Sequence, residues 1–421
     1  MNSFVFLREW GTILLVFLLP WQARWIAREG WRPIDGAKLP WLTLSLYATE
    51  VLVGLLIIFA LADRDFRLRL RSRLPRLIIY PLALIVLFSL LSIFWSADRD
   101  LALQKSVQLI LALSVLPLCI AHQKPKNLVS AFLLSAGVQA FLGAAQSLAG
   151  FSPASTWLGV SRQSGELAAS VAEGGDLRVL RAYGTLPHPN ILGGYLAAAI
   201  LLALVRYREA VSRNQRIFFI VFLSLLFFAL FFTFSRSAWL AVSLGSLPLL
   251  YALVKERAGA HLLLPLALVP ALLAAIVFAP VVAGRLTGAG RLEVRSTKER
   301  VTSLADGFAV FMGSGGLGVG VGQINPKAYG SPTISTEPAH LVPLQFAAEL
   351  GIIGLLLFLF FAWRLWRAAR ATPLSLALFL LLSTVSLFDH YLWTLWAGNL
   401  LSIFAIFAIL RAKSDPAFGG S

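Results

Sequence analysis

Apolar residues dominate this chain in long blocks, parted by short connections that hold most of its charges. About 20 apolar residues are needed to cross a bilayer as a helix. Twelve blocks approach that length, near 9–27, 41–62, 77–95, 105–121, 128–149, 190–205, 217–234, 237–254, 262–283, 341–363, 374–391 and 392–410. The pattern predicts an all-α polytopic membrane protein of about twelve helices, with the last two divided around Asp389, His390 and Tyr391. The first block lacks a small-residue cleavage site and is followed by many more, so it reads as a retained span. Two connections are long, 151–189 and 284–340.

Composition agrees: 58% of the 421 residues are hydrophobic and 13% charged, which excludes an ordinary soluble domain. The whole of 1–421 reads as one transmembrane domain. The net charge of +16 does not point to nucleic acid, because the basic residues are scattered over short loops. Those loops alternate between strongly and weakly basic, as they should if every second one is cytoplasmic. On this reading both termini are cytoplasmic, and the two long connections share the opposite face. One loop, 24–38, disagrees, since it carries Arg24, Arg28, Arg32 and Lys38 on the other side. The single cysteine, Cys119, excludes an intrachain disulfide and a cysteine-based metal site.

Candidate chemistry gathers on that shared face. In RAYGTLPHPNILGGYL, Arg181 precedes His188 and Asn190 at the opening of a span. Arg181 could grip a phosphate; equally, Pro189 and Asn190 are ordinary helix-start residues, and Gly193 and Gly194 permit close packing. In TFSRSAWLAV, Ser235 and Arg236 interrupt two spans at membrane depth. An arginine there either snorkels at a helix end or holds phosphate oxygens bidentately. The long connection carries Arg291, Arg295, Lys298 and Arg300 among Glu293, Glu299 and Asp306, followed by the glycine run GSGGLGVGVG. Arg291 and Arg295 read as a self-paired solvated face, with Arg295 held in the second rank, and the glycines as a turn.

His340, placed in the first turns of a helix begun by Thr336, Glu337 and Pro338, is the sharpest candidate. A helix N-terminus disfavours the imidazolium, and a neutral imidazole suits a general base acting on a hydroxyl. Glu349, nine residues on, is out of phase with it. His188, His390 and Asp389 are second-rank candidates on the same face. Asp98 and Asp100 resemble paired metal-binding acids, but the intervening Arg99 and the lack of further acids argue against a metal.

Together these residues resemble the O-antigen ligase and O-antigen polymerase superfamily of bacterial envelope enzymes, the ligases more closely. The likeness covers about 180–355: Arg-x-x-Gly-x-x-x-His-Pro-Asn at Arg181 to Asn190, Thr-x-Ser-Arg at Thr233 to Arg236, and Arg300 eighteen residues before Gly318 and Gly320. His340, followed by Glu349 and Gly351, completes it. Two departures are Leu341, where the family has asparagine, and the absence of a tryptophan near Ser303 and Leu304.

The resemblance implies a glycosyltransferase of the C type in the bacterial inner membrane, with a periplasmic cavity under the large loop 284–340. It would work as a monomer and move a glycan from an undecaprenyl-pyrophosphate-linked donor to a sugar hydroxyl of the lipid A-core acceptor, with inversion and without metal or cofactor. Arg236, Arg300 and Arg181 would hold the pyrophosphate and His340 would serve as the base. A polymerase using the same donor is the alternative within enzymes. A transporter or flippase would need inverted repeats and deep charges, of which only Glu50 is found. A scaffold gives no reason to gather arginines and a histidine on one face.

Overall fold

The computed structural model describes residues 3–30, 39–73, 75–166, 171–255, 265–288, 290–323 and 338–414. Its helices are, in chain order, α1 (Ser3–Phe17), α2 (Ala48–Ala62), α3 (Arg64–Arg73), α4 (Arg76–Ser92), α5 (Arg99–Ile120), α6 (Pro125–Ala149), α7 (Pro189–Glu209), α8 (Arg213–Phe232), α9 (Arg236–Lys255), α10 (Val269–Val277), α11 (Ala279–Thr287), α12 (Arg291–Gly313), α13 (Val342–Ala369), α14 (Pro373–Phe388), α15 (Tyr391–Thr394) and α16 (Trp396–Ser414). Three antiparallel strand pairs stand in the connections: β1 (Arg24–Arg28) with β2 (Leu44–Tyr47), β3 (Phe151–Ser152) with β4 (Gln163–Ser164), and β5 (Val171–Gly174) with β6 (Leu177–Leu180).

The chain is a multi-pass membrane protein. Among the described residues, seven helices are long and apolar enough to cross a bilayer: α5, α6, α7, α8, α9, α13 and α16. The count is nine if the bent pair α3–α4 and the bent run from α10 to α12 are each one span. Large apolar side chains such as Leu87, Phe141, Phe218, Ile276 and Leu356 are exposed on the outside of the bundle. That surface suits acyl chains and not water.

Four of the twelve expected blocks are built differently: 41–62 opens with the strand β2 before α2, 392–410 is divided between α15 and α16, and two more depart further. The block 9–27 is not one helix, because α1 ends at Phe17 and Arg24–Arg28 is the strand β1. The block 262–283 is broken into α10 and α11, and the chain bends by 85° there. The basic loop that dissented from the charge alternation also has a local explanation. Arg28 ion-pairs with Asp98, and with Asp100 at 3.7 Å, while the Arg24 guanidinium lies 5.5 Å from the Tyr47 ring centroid. Arg32 and Lys38 lie outside the described residues.

α7 is the axis of the bundle. It packs against α6, α8, α9, α14 and α16 and is buried along nearly its whole length. Small residues make this possible: a β-carbon on Gly194 would lie 2.0 Å from Tyr391 Oη. Hydrogen bonds tie the connections together at the end of the bundle where α7 begins. Gln146 Nε2 donates to Gly184 O, Arg181 Nε to Thr233 O, and Val321 N to Ser92 Oγ.

The glycine run is a turn with a packing role. It lies along a break in α13, where Gly351 has φ 65° and ψ −163°. The helix loses its own hydrogen bonds there and the run replaces them: Val319 N donates to Ala348 O (3.0 Å), Gly320 N to Glu349 O (2.8 Å), and Ile352 N to Gly316 O (2.8 Å). A β-carbon on Gly351 would meet Gly316 O at 2.3 Å. That backbone conformation is essentially glycine-only. Gly351→Ala should therefore cost about 3 kcal/mol and lower the thermal unfolding midpoint in detergent. Gly54→Ala, where nothing lies within 4 Å, should leave the midpoint unchanged or raised.

Candidate active site

The N-terminus of α7 and the segment before it, α11, α12, the strand β5 and the segment before α13 enclose a cavity of about 420 Å³. Arg181, His188, Asn190, Arg285, Glu293, Arg295, Glu299, Arg300 and His340 line it. Four arginines against two glutamates leave it positive.

Its foundation is a buried hydrogen-bonded bridge. Arg181 Nη2 donates to Asn190 Oδ1 at 2.7 Å, and Asn190 Nδ2 donates to Asp389 Oδ2 at 2.7 Å. Arg181 Nε is held by Thr233 O (2.8 Å), and Asp389 Oδ1 accepts the His390 backbone N–H (2.9 Å). Burial lowers the Arg181 pKa, to about 9, which leaves it charged at neutral pH. Burial alone would raise the Asp389 carboxyl, but His390, His340, His188 and the Asn190 amide outweigh it and hold the group below its usual range.

The histidines stand on this bridge. His188 caps α7, its Nδ1 accepting the Asn190 N–H at 3.1 Å. Burial, with Arg181 nearby, pushes its pKa down to about 3, so it is a neutral cap. His390 is also neutral, lowered by burial to about 4, and its Nδ1 lies 2.6 Å from Thr394 Oγ1.

His340 sits just before α13, not in its first turn: Leu341 is the N-cap and Val342 the first helical residue. The expected helix start at Thr336 and Glu337 lies outside the described residues. Its pKa is lowered by burial and by Arg300, against the opposing pull of Asp389. Ser303, at one of the positions where the family departs, donates its hydroxyl to Arg300 O (3.0 Å) and faces His340 Nδ1 at 3.4 Å. That arrangement favours the proton on Nδ1 and the basic lone pair on Nε2. The His340 and His390 rings meet edge to face, centroids 4.9 Å apart. A nitrogen of each and an oxygen of Asp389 lie within 4.8 Å of one another, a donor set able to hold a metal ion, although both Asp389 oxygens already accept hydrogen bonds.

The other expected residues divide. Arg300 lines the cavity, and its guanidinium makes no ion pair or hydrogen bond with another described side chain. Arg295 also lines the cavity, and its Nε donates to Glu299 (2.8 Å), the self-pairing read from its spacing. Arg236 does not line it. Its guanidinium pairs with Glu293 (3.3 Å) and donates to Arg285 O (3.0 Å), one layer behind. Ser235 is buried against Ser237. Glu349 faces away: it accepts from Trp393 Nε1 (2.9 Å) and Gln345 Nε2 (2.6 Å), while Gln345 Oε1 accepts the Ala339 N–H (2.8 Å). Glu349 thus steadies the residue before His340 without touching it.

Arg285 was not anticipated. It ion-pairs with Glu293 and donates from Nε to the carbonyl of Phe234 (3.2 Å), itself held at φ 46°. The signal was present in GRLTGAGRLE as a lone arginine closing an apolar block, which reads as a helix boundary. Asp98 and Asp100 are taken by Arg28, away from the cavity.

Residues 220–359 match a family model described as O-antigen ligase. The matched segment carries Arg236, Arg285, Glu293, Arg300 and His340, and supports membership of the O-antigen ligase and polymerase superfamily. No curated protein matches the chain.

Asn190→Leu keeps the volume but takes one hydrogen-bond partner from a buried arginine and one from a buried carboxylate. It should cost about 3 kcal/mol. An unfolding midpoint equal to wild type, read by tryptophan fluorescence in micelles, would show that the bridge is not structural.

Proposed function

We propose that this protein is an inverting glycosyltransferase that moves O-antigen glycan from undecaprenyl pyrophosphate to a sugar hydroxyl of the lipid A core. The observation that carries this reading is the meeting of Arg300, unpaired among the described residues, and His340, neutral, in one positive cavity at the helix ends. The match to the O-antigen ligase model over the same segment supports it.

The chemistry asks little more. Pyrophosphate is already a good leaving group, so the protein must position two lipid-borne substrates and neutralise the charge that develops as the donor bond breaks. The acceptor oxygen attacks the anomeric carbon while the carbon–oxygen bond to the diphosphate breaks. The bonding pair leaves with undecaprenyl pyrophosphate, and the hydroxyl proton passes to His340 Nε2. A single displacement inverts the anomeric centre. Arg300 has its donors unspent and takes the diphosphate oxygens, while Arg181, Arg285 and Arg295 add positive potential. Asp389 stabilises the imidazolium that forms on His340.

No step is routed through a metal. Asp389 instead supports the site through Asn190 and the His390 amide. On this reading the fold is of the C type, the protein acts as a monomer in the inner membrane, the cavity opens to the periplasm, and both termini are cytoplasmic.

Purified protein, undecaprenyl-pyrophosphate-linked glycan and rough lipopolysaccharide, with chelator present, test the proposal. Glycan on the core is the expected product. A longer glycan on the carrier would instead identify a polymerase, and neither product would contradict both. In the same assay His340→Ala should fold yet lose about 100-fold or more in rate. Arg300→Lys should lose about tenfold or more, because a point charge does not replace the planar fork. Wild-type turnover in either variant would remove that residue from the mechanism.

A further inference from the structure

At the end of the bundle away from the active site lies a second cavity, of about 820 Å³. It is enclosed by the α3–α4 connection and the C-terminal ends of α5, α13 and α16. Six cations line it: Arg73, Arg76, Arg364, Arg367, Arg411 and Lys413. No carboxylate is among the described lining residues. We propose that this cavity is a binding site for the head group of an anionic glycerophospholipid, drawn from the leaflet opposite the reaction.

Three observations carry the proposal. The first is the contrast between Arg73, Arg76, Arg364 and Arg367, which make no ion pair among the described residues, and other basic residues at the same end. Arg8 pairs with Glu9 and Asp63, Arg69 lies 3.9 Å from Glu9, and Arg206 pairs with Glu209 at 2.9 Å. A positive residue at a helix C-terminus is ordinary, because it meets the negative end of the helix dipole. That explains one or two cations per helix. It does not explain cations from separate helix ends converging on one cavity, with no acid among its described lining.

The second is depth. Trp363 and Trp366 are exposed, and the Arg364 and Arg367 guanidinium carbons lie 5.4 and 5.3 Å from the Trp363 ring centroid. Tryptophan and arginine together mark the head-group level of a bilayer. The third is the rest of the wall, which is aliphatic: Leu77, Ile78, Ile120 and Leu410, with Leu77 62% exposed at the rim. A free anion has no use for that wall. A phosphodiester held by arginine forks, with the first methylenes of its acyl chains against the leucines, uses both halves.

The full chain in detergent, titrated with phosphatidylglycerol or with phosphatidylcholine of the same acyl chains, tests this by native mass spectrometry. Phosphatidylglycerol should be retained at least about tenfold better. The triple variant R76Q/R364Q/R367Q should bring the ratio near one, and R76K/R364K/R367K should keep the preference, which separates charge from misfolding. Equal retention of the two lipids by wild type, or an undiminished preference in the glutamine variant, would overturn the proposal. Full displacement of phosphatidylglycerol by inorganic phosphate would overturn it too, by assigning the cavity to a soluble anion. None of these readouts depends on glycan transfer.

Discussion

The bridge from Arg181 through Asn190 to Asp389 is the interaction on which the active end of the bundle depends. A buried arginine and a buried aspartate are each expensive in a low-dielectric interior. Here they are joined by one amide that offers its oxygen to the cation and its nitrogen to the anion. Asn190 does this from the first turn of α7. Through Thr233 and the His390 amide the same bridge reaches the end of α8 and the end of α14. Three segments distant in sequence are fixed by one set of hydrogen bonds.

That rigidity divides the work among like residues. Arg181, Arg236 and Arg285 spend their donors on carbonyls, Asn190 and Glu293, so they shape the field of the cavity. Arg300 has no such commitment among the described residues and is the cation available to a ligand. The histidines divide similarly: His188, which also lines the cavity, accepts at Nδ1 as a helix cap, His390 Nδ1 faces Thr394, and His340 lines the cavity with Nδ1 turned to Ser303. Preorganised charge of this kind needs no rearrangement as a reaction proceeds.

Much of this was legible in the sequence, because hydropathy blocks and loop charge are local signals. They placed most helices and put Arg181, Arg300, His340 and Asp389 on one face. What could not be read depends on non-local geometry. Arg285 looked like a boundary residue because its hydrogen bond to Phe234 O, 51 residues away, is visible only in the folded chain. Arg236 looked like a direct phosphate ligand because its depth was readable and its partner was not. The ion pair of Arg28 with Asp98, 70 residues on, was likewise not readable from the sequence. The glycine run read as a turn, but its role against the break at Gly351 belongs to tertiary structure.

The central claim is that His340 acts as a neutral base whose pKa burial and Arg300 lower and Asp389 partly restores. The pH dependence of glycan transfer tests it most directly. An unperturbed imidazole protonates near pH 6.5. The rate should therefore hold steady as pH falls through that value and decline only in more acidic solution, as His340 takes up its proton. In Asp389→Asn the supporting carboxylate is gone, so the rate should be lower throughout and its acid limb displaced to lower pH still. A wild-type decline at or above pH 6.5, or an acid limb that does not move in Asp389→Asn, would contradict the assignment.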